Sequence, residues 1–162
     1  MTRVTLKSLS LAAAVALAAP AAHAATATGS LLVSATVLDT CLVVATPLAF
    51  GSLDGGAATP DLAPATVTVT CTASKAGITV SLGAGDNVSG GQRHMISADD
   101  DEVPYSVFTD AGRSASVAVD GDIFDGPVTA AIPTAFSLYG LIPAGSYSTG
   151  IYSDTVTITV DY

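Results

Sequence analysis

Apolar and polar side chains alternate with a period of two along residues 152–162. One face of this segment carries the large apolar side chains of Tyr152, Val156, Ile158, Val160 and Tyr162. The opposite face carries only serine, threonine and aspartate side chains. A period of two belongs to a β-strand, because a helix repeats its apolar positions every three or four residues. The segment therefore predicts a long strand with one buried face, built into a sheet up to its last residue.

Shorter stretches of the same alternation recur along the chain, and residues 25–162 show no helical stripe of apolar positions. Valine, threonine, serine and alanine dominate these stretches, and glycine and proline separate them. The expected strands are residues 42–45, 48–50, 65–71, 78–82, 93–96, 104–108, 115–119, 135–139 and 152–162. Many short strands between turn residues predict an all-β fold, a β-sandwich of immunoglobulin-like type.

Residues 1–24 have the pattern of a cleavable secretory leader. Two basic residues precede an apolar run at residues 9–19, and residues 22–24 give the small-x-small pattern that signal peptidase recognises. The apolar run is about a dozen residues long, whereas a membrane-spanning helix needs about 20, so we favour a leader over a membrane anchor. We therefore expect cleavage after Ala24 and an exported single-domain chain without membrane insertion.

Removal of this leader leaves three basic residues against fourteen acidic ones. A chain of such negative charge repels phosphate groups, which argues against nucleic acid and anionic membranes as partners. We interpret the acidic surplus as the charge that keeps a secreted protein soluble.

The polar residues form no recognisable catalytic pattern. His94 is the only histidine outside the leader, so neither a metal cluster nor a serine–histidine triad can be assembled around it. Asp120, Asp122 and Asp125 lack the spacing of a calcium loop, and we interpret them as a solvated acidic turn. The acidic run at residues 99–102 predicts a charged loop. We therefore expect no catalytic, metal or cofactor site, and a protein that is not an enzyme.

Cys41 and Cys71 are the only two cysteines of the chain. Two cysteines in an exported protein are predicted to pair, because the extracytoplasmic compartment is oxidising. Such a bond closes a loop of about 30 residues and contributes roughly 3–4 kcal/mol by the chain-entropy estimate.

The segment that follows the leader, residues 25–38, also has one apolar face. That face is formed by Leu31, Val33, Ala35 and Val37. It fits the ordinary first strand of a complete sandwich, and it equally fits an extended peptide that leaves its own domain and completes the sheet of a neighbour. Both interpretations need the same alternation, so the pattern alone does not choose between them.

Motifs along the whole of residues 25–162 resemble the spore coat protein U domain family, which includes the Csu-type pilins of archaic chaperone–usher systems. The resemblance is carried by Gly29 with the run to Val37, Cys41, Pro47-Leu48-Ala49-Phe50-Gly51, Val67 to Cys71, Arg93-x-Met95, Tyr105-Ser106-Val107-Phe108-Thr109-Asp110, Tyr139-Gly140-Leu141-Ile142-Pro143 and Gly150-x-Tyr152-x-Asp154. The chain departs from the family in having no tryptophan, and in Leu141, where a basic residue is common.

The resemblance implies an immunoglobulin-like sandwich that lacks one strand and is completed by donor-strand complementation. Residues 25–38 would then be the donor segment, with Leu31, Val33, Ala35 and Val37 as its buried face, and residues 39–162 the pilin domain. The strand carrying Tyr152, Val156, Ile158, Val160 and Tyr162 would border the open groove and meet the chaperone. The implied partners are a periplasmic chaperone, an outer-membrane usher and neighbouring pilin subunits in a head-to-tail fibre on the cell surface.

Two other functions fit the same sequence, and a third fits it less well. The family name allows a spore or cell coat protein, and a complete sandwich could bind a ligand as a secreted monomer. A tip adhesin is disfavoured, because such a subunit adds a receptor-binding domain for which residues 25–162 leave no room.

Overall fold

A computed structural model describes residues 26–53 and 64–162 of the chain. The predicted leader lies outside these residues, as does most of the predicted turn-rich loop at residues 52–64. The described residues fall into two units that divide between Thr36 and Val37. The described part of the first unit contains no strand, and its side chains are exposed. The second unit contains all the described strands.

The described residues form strands and no helix, and so none that could cross a membrane. The strands are β1 (Cys41–Ala45), β2 (Ala65–Cys71), β3 (Lys75–Leu82), β4 (Val88–Ser89), β5 (Gln92–Ile96), β6 (Glu102–Phe108), β7 (Gly121–Val128), β8 (Thr134–Leu141) and β9 (Ile158–Asp161). They make a six-stranded sheet in the order β1-β2-β8-β6-β5-β4 and a three-stranded sheet in the order β7-β3-β9. All these pairings are antiparallel.

The buried face of each sheet follows the alternation of the sequence. In β2 the buried positions are Ala65, Val67, Val69 and Cys71, and the threonines between them are half-buried on the other face. In β3 the buried positions are Ile78, Val80 and Leu82. These side chains meet Val103, Tyr105 and Val107 of β6 in one apolar core. The all-β prediction and the two-sheet architecture are confirmed.

Two predicted strands are wrong. Residues 48–50 form no strand, because Pro47 has no N–H to give to a ladder and Gly51 has a positive φ of 66° that turns the chain. Residues 115–119 make only an isolated bridge, between Ser116 and Phe108. Asp120, with a φ of 58°, turns the chain directly after this stretch.

The prediction of an acidic turn at Asp120, Asp122 and Asp125 is also wrong in part. Asp120 lies in a turn, but Asp122 and Asp125 belong to β7, which pairs with β3 along most of its length. β7 was not predicted from the sequence because glycine, aspartate and proline interrupt it, and these residues are depleted in strands. The pairing with β3 forms nevertheless, because Ile123 and Val128 are buried against the core.

The predicted strand at residues 152–162, here called the terminal segment, forms a regular ladder only in β9. Its first half is held by single backbone bonds. Gly83 N donates to Thr157 O at 2.9 Å, Asp86 N donates to Thr155 O at 3.1 Å, and Ser153 pairs with Ile96 of β5. The ladder is interrupted because β3 ends at Leu82, before the terminal segment reaches β5. The terminal segment thus joins the small sheet to the large one.

Candidate functional site

Among the described residues, no strand pairs with the two sheets along one side of the domain. β1 is the edge strand of the six-stranded sheet, and β9 is the edge strand of the three-stranded sheet. The two strands come close to each other, but no ladder among the described strands joins them.

The terminal segment turns its free backbone groups toward this open side. The backbone N–H and C=O groups of its odd-numbered residues point away from the open side. They form hydrogen bonds with β3, with the loop after β3 and with β5. The N–H and the C=O of Ser153, for example, both bond to Ile96 of β5. In an extended chain, the N–H and C=O groups of the even-numbered residues then point outward to the open edge.

An apolar groove of about 570 Å³ lies between the stretch that follows β1 and the half of the terminal segment that leads into β9. Residues 45–51 form one wall, and the terminal segment from Tyr152 to Ile158 forms the other. The floor consists of core side chains contributed by both sheets, among them Val67, Leu82 and Val107. A groove with an apolar floor and one unpaired strand along its wall has the shape and chemistry that receive a further β-strand.

Phe50 and Leu48 fix the wall at residues 45–51, although this stretch is not a strand. The ring of Phe50 is buried with its centroid 5.9 Å from that of Tyr105. Both side chains lie over Gly140 of β8, where a Cβ atom would come within 2.6 Å of the Phe50 ring and 3.1 Å of Leu48. The absence of a side chain at Gly140 therefore makes room for the wall of the groove.

Asp154 is the one charged residue among the described residues that line the groove. Its Oδ2 accepts a hydrogen bond from the Tyr105 hydroxyl at 2.6 Å. Its Oδ1 accepts bonds from Asp86 N at 3.1 Å, Asn87 N at 3.2 Å and Asn87 Nδ2 at 3.1 Å. Burial, together with the bond to Asp154, raises the pKa of Tyr105 above its ordinary value. The carboxylate thus ties the terminal segment to β6 and to the loop after β3.

Arg93 of β5 ties the two sheets together from within. It is only 3% exposed, and its guanidinium donates to the backbone carbonyls of Leu82, Gly83, Val117 and Ala118 at 2.8–2.9 Å. Burial lowers the pKa of Arg93. A guanidinium has five N–H donors in a fixed plane, which lets one side chain satisfy carbonyls from several loops.

The predicted donor segment presents its apolar face to solvent. Leu31 is 87% exposed, Val33 is 82% exposed and Val37 is 88% exposed. Large apolar side chains in such a row are unfavourable in water unless a partner covers them.

Within the second unit, residues 39–41 are bonded to the end of β2 and to the chain that follows it. Thr40 N donates to Thr72 Oγ1 at 3.0 Å, and Thr72 N donates to Thr40 O at 2.9 Å. Asp39 forms a salt bridge of 2.7 Å with Lys75. The predicted disulfide bond then joins Cys41 of β1 to Cys71 of β2, which are partners in the strand register.

The predicted groove residues are brought together in part. Tyr152, Val156, Ile158 and Val160 are half-buried on the inward face of the terminal segment, but Val160 lies beyond the groove lining. Tyr162 is exposed and lies with its ring centroid 5.3 Å from Lys75 Nζ.

Sequence reasoning missed the roles of Asp154, Tyr105 and Phe50. Asp154 occupies a position of the alternation at which the other side chains are apolar and face inward. A charged residue in this apolar row was the feature of the sequence that could have indicated its role. Among the described residues, no group of three or more histidine, cysteine or acidic side chains is placed to hold a metal ion.

The profile of the Spore Coat Protein U domain matches residues 27–159. The chain belongs to the Spore Coat Protein U domain family. No curated protein matches its sequence. The family match covers the described strands β1 to β8, both cysteines and the groove lining.

A solved structure shares the fold of this family member. It is the pre-assembly complex of the chaperone CsuC with the tip adhesion subunit CsuE, from archaic chaperone–usher Csu pili of Acinetobacter baumannii. One chain of that complex matches with a TM-score of 0.55 and 22% sequence identity. The match covers 78% of the present chain and 40% of that chain, so the present chain spans less than half of its length.

Proposed function

We propose that this protein is a structural subunit of a chaperone–usher surface pilus that polymerises by donor-strand exchange. The observation that carries the proposal is the apolar groove between residues 45–51 and the terminal segment, whose open edge pairs with no described strand, in a chain that also presents an exposed alternating segment. In each contact, residues 25–38 of one subunit supply the strand that residues 39–162 of the next subunit lack. Residues 1–24 are the leader that exports the chain.

The groove and the segment match in length. Each wall spans seven residues, 45–51 on one side and 152–158 on the other. The stretch from Leu31 to Val37 also has seven residues. At about 3.3 Å per extended residue, residues 152–158 and the stretch from Leu31 to Val37 each cover roughly 23 Å. The segment can therefore fill the groove from end to end, with four side chains directed at the floor.

Burial of the segment supplies the driving force. A large aliphatic side chain contributes about 1.5–3 kcal/mol when it is fully buried, and an alanine contributes less. Leu31, Val33 and Val37 together would then contribute roughly 4.5–9 kcal/mol before the entropy of ordering the segment is subtracted. Backbone hydrogen bonds along the open edge of the terminal segment add to this and remove an edge that would otherwise invite aggregation.

The partners follow from this mechanism. A periplasmic chaperone covers the groove before assembly, an outer-membrane usher exports the subunits, and each subunit contacts its neighbours head to tail. Such a contact uses two different surfaces and does not close on itself, so it produces a filament. The proposed location is the periplasm during assembly and the cell surface afterwards, where the fibre serves attachment and biofilm formation. The proposal includes no catalytic activity.

A coat protein with the same domain is the second candidate, and the name of the family favours it. Immunogold labelling of intact cells separates the two. Label along thin fibres supports the pilus, and label confined to a continuous outer layer supports the coat.

The decisive experiment compares two charge substitutions on opposite faces of the donor segment. Val33→Asp places a carboxylate on the face that enters the groove, whereas Leu32→Asp places the same charge on the other face of the same segment. We expect Val33→Asp to abolish polymers in size-exclusion chromatography and Leu32→Asp to retain them. Equal polymerisation of both variants would refute donor-strand exchange.

A second readout separates assembly from folding. Val33→Asp leaves the groove of its own domain intact, so that variant should still bind the chaperone. It should also accept a synthetic peptide of residues 29–38. The opposite outcome has two parts: a variant lacking residues 25–37 folds stably alone, and the full chain stays monomeric. Together these results would favour a complete secreted sandwich instead.

A further inference from the structure

The side chains of the terminal segment that line the groove also determine the register of the incoming strand. This inference rests on the proposed function. The even-numbered residues of the terminal segment direct their side chains inward and their backbone polar groups to the open edge. Residues paired across two antiparallel strands have their side chains on the same side of the sheet. Each odd-numbered donor residue must therefore face an even-numbered residue of the terminal segment, and the possible registers differ by steps of two residues.

The direction of the incoming strand follows from the two walls. β1 and the terminal segment run antiparallel to each other, so a strand inserted between them is parallel to one of the two. The wall at residues 45–51 offers few hydrogen bonds, because Thr46 N is already bonded to Thr66 O and Pro47 has no N–H. The terminal segment provides the regular edge. Antiparallel pairing is the more stable kind, so the strand enters antiparallel to the terminal segment.

Asp154 distinguishes the remaining registers. Its carboxylate is held by the four hydrogen bonds described above and lies against the backbone of Gly85, where an added Cβ atom would clash with Asp154 Oδ2. The carboxylate therefore cannot turn away from an incoming side chain. A bulky apolar side chain placed against it would strip water from the charge without offering a hydrogen bond in return.

We propose that Ala35 of the neighbouring subunit lies opposite Asp154, and that Asp154 thereby sets the register of the donor strand. Ala35 is the smallest of the four donor side chains, so it covers the carboxylate least. The same register places the three larger residues opposite apolar or aromatic ones: Leu31 opposite Ile158, Val33 opposite Val156 and Val37 opposite Tyr152. It also aligns all four donor side chains with the four inward positions of the groove wall. A shift of two residues in either direction places a valine against the carboxylate.

Engineered disulfide bonds test this register in the full chain. Ser34 and Thr155 lie on the outward faces and are exposed, and the proposed register places them directly opposite each other. Cβ atoms of directly opposed residues are about 4.5–5.5 Å apart, near the spacing that a disulfide bond needs, whereas diagonal neighbours are about 7–8 Å apart. The native cysteines are paired with each other, so they leave no free thiol to interfere.

The doubly substituted chain Ser34→Cys/Thr155→Cys should give a ladder of covalent oligomers on a non-reducing gel. The matched controls Ser34→Cys/Ser153→Cys and Ser34→Cys/Thr157→Cys should polymerise without a ladder. A second pair in the same register, Leu32→Cys/Thr157→Cys, should reproduce the ladder. It tests the register independently if the first doubly substituted chain fails to fold.

The outcomes separate this inference from the proposed function. A ladder from either offset control would refute the register. Polymers that give no ladder with both in-register pairs would refute it as well. Neither result would contradict donor-strand exchange. Failure of the unsubstituted chain to form polymers at all would refute the proposed function and the register with it.

Discussion

Removal of one hydroxyl group, by Tyr105→Phe, tests whether the carboxylate in the groove wall holds the terminal segment in place. The Tyr105 side chain is 4% exposed, and its hydroxyl lies 2.6 Å from Asp154 Oδ2. A buried hydrogen bond to a charged group contributes about 1.5–3 kcal/mol. Phenylalanine preserves the ring that packs against Phe50, so we expect the loss in unfolding free energy to fall in that range.

Tyr147→Phe is the matched control. The Tyr147 hydroxyl donates to Pro143 O at 2.7 Å, but this bond is exposed and its acceptor is neutral. We expect a loss of no more than about 0.5 kcal/mol there. Urea unfolding followed by far-UV circular dichroism gives both values by linear extrapolation, with both substitutions made in the Val33→Asp chain, which is expected not to polymerise. Equal losses in the two variants would refute the role assigned to Asp154.

The same pair of variants predicts a dependence on alkaline pH. The unfolded chain ionises tyrosine near pH 10, whereas the folded chain keeps the Tyr105 proton to higher pH, because burial raises its pKa. The stabilisation by Tyr105 is therefore complete below pH 10 and is lost as the pH rises toward the raised pKa, by up to about 1.4 kcal/mol per pH unit. The stability difference between the wild-type chain and Tyr105→Phe should narrow above pH 10 and stay constant below it.

Two further predictions concern the frame of the groove. Replacing Cys41 and Cys71 together by serine should lower the unfolding free energy by about 3–4 kcal/mol, since the bond closes a loop with a sequence separation of 30; an unchanged urea midpoint would contradict this. Gly140→Ala should displace Phe50 and lower stability by about 1–3 kcal/mol through overpacking, with weaker binding of a donor peptide in calorimetry. Gly77→Ala, where a side chain meets nothing within 4 Å, is its control and should leave peptide binding unchanged.

The strands with clean alternation were predictable from sequence. β2 matches its expected bounds at residues 65–71, and β6 and β8 extend their expected ranges by a few residues. Threonine and valine alternate in β2 because this strand has one face on the core and one toward solvent. The disulfide bond was predictable for a different reason, since two cysteines in a chain that is expected to be exported have one possible pairing.

The polar contacts of the groove were not predictable in the same way. Asp154 in the groove and Arg93 beside it are charged residues in motifs that indicate the family, but these motifs do not reveal the partners of either side chain. Their partners lie far away in the chain: Asp154 bonds to Tyr105 at a sequence separation of 49 and to Asn87 at a separation of 67. Only the packing of two sheets brings such groups together, and a buried charge is tolerated only where these partners meet it.

The alternation by itself determined that this chain folds into β-strands, which face of most of them is buried, and that residues 31–37 form an apolar row. These are local properties, because the period of two follows from the geometry of an extended backbone. The tertiary structure decided which edges remain unpaired, that β7 completes the small sheet despite its glycines and proline, and that a fixed carboxylate lies in the groove. Strand order and edge pairing arise from contacts between distant residues, and so they emerge only when both sheets have packed on one core.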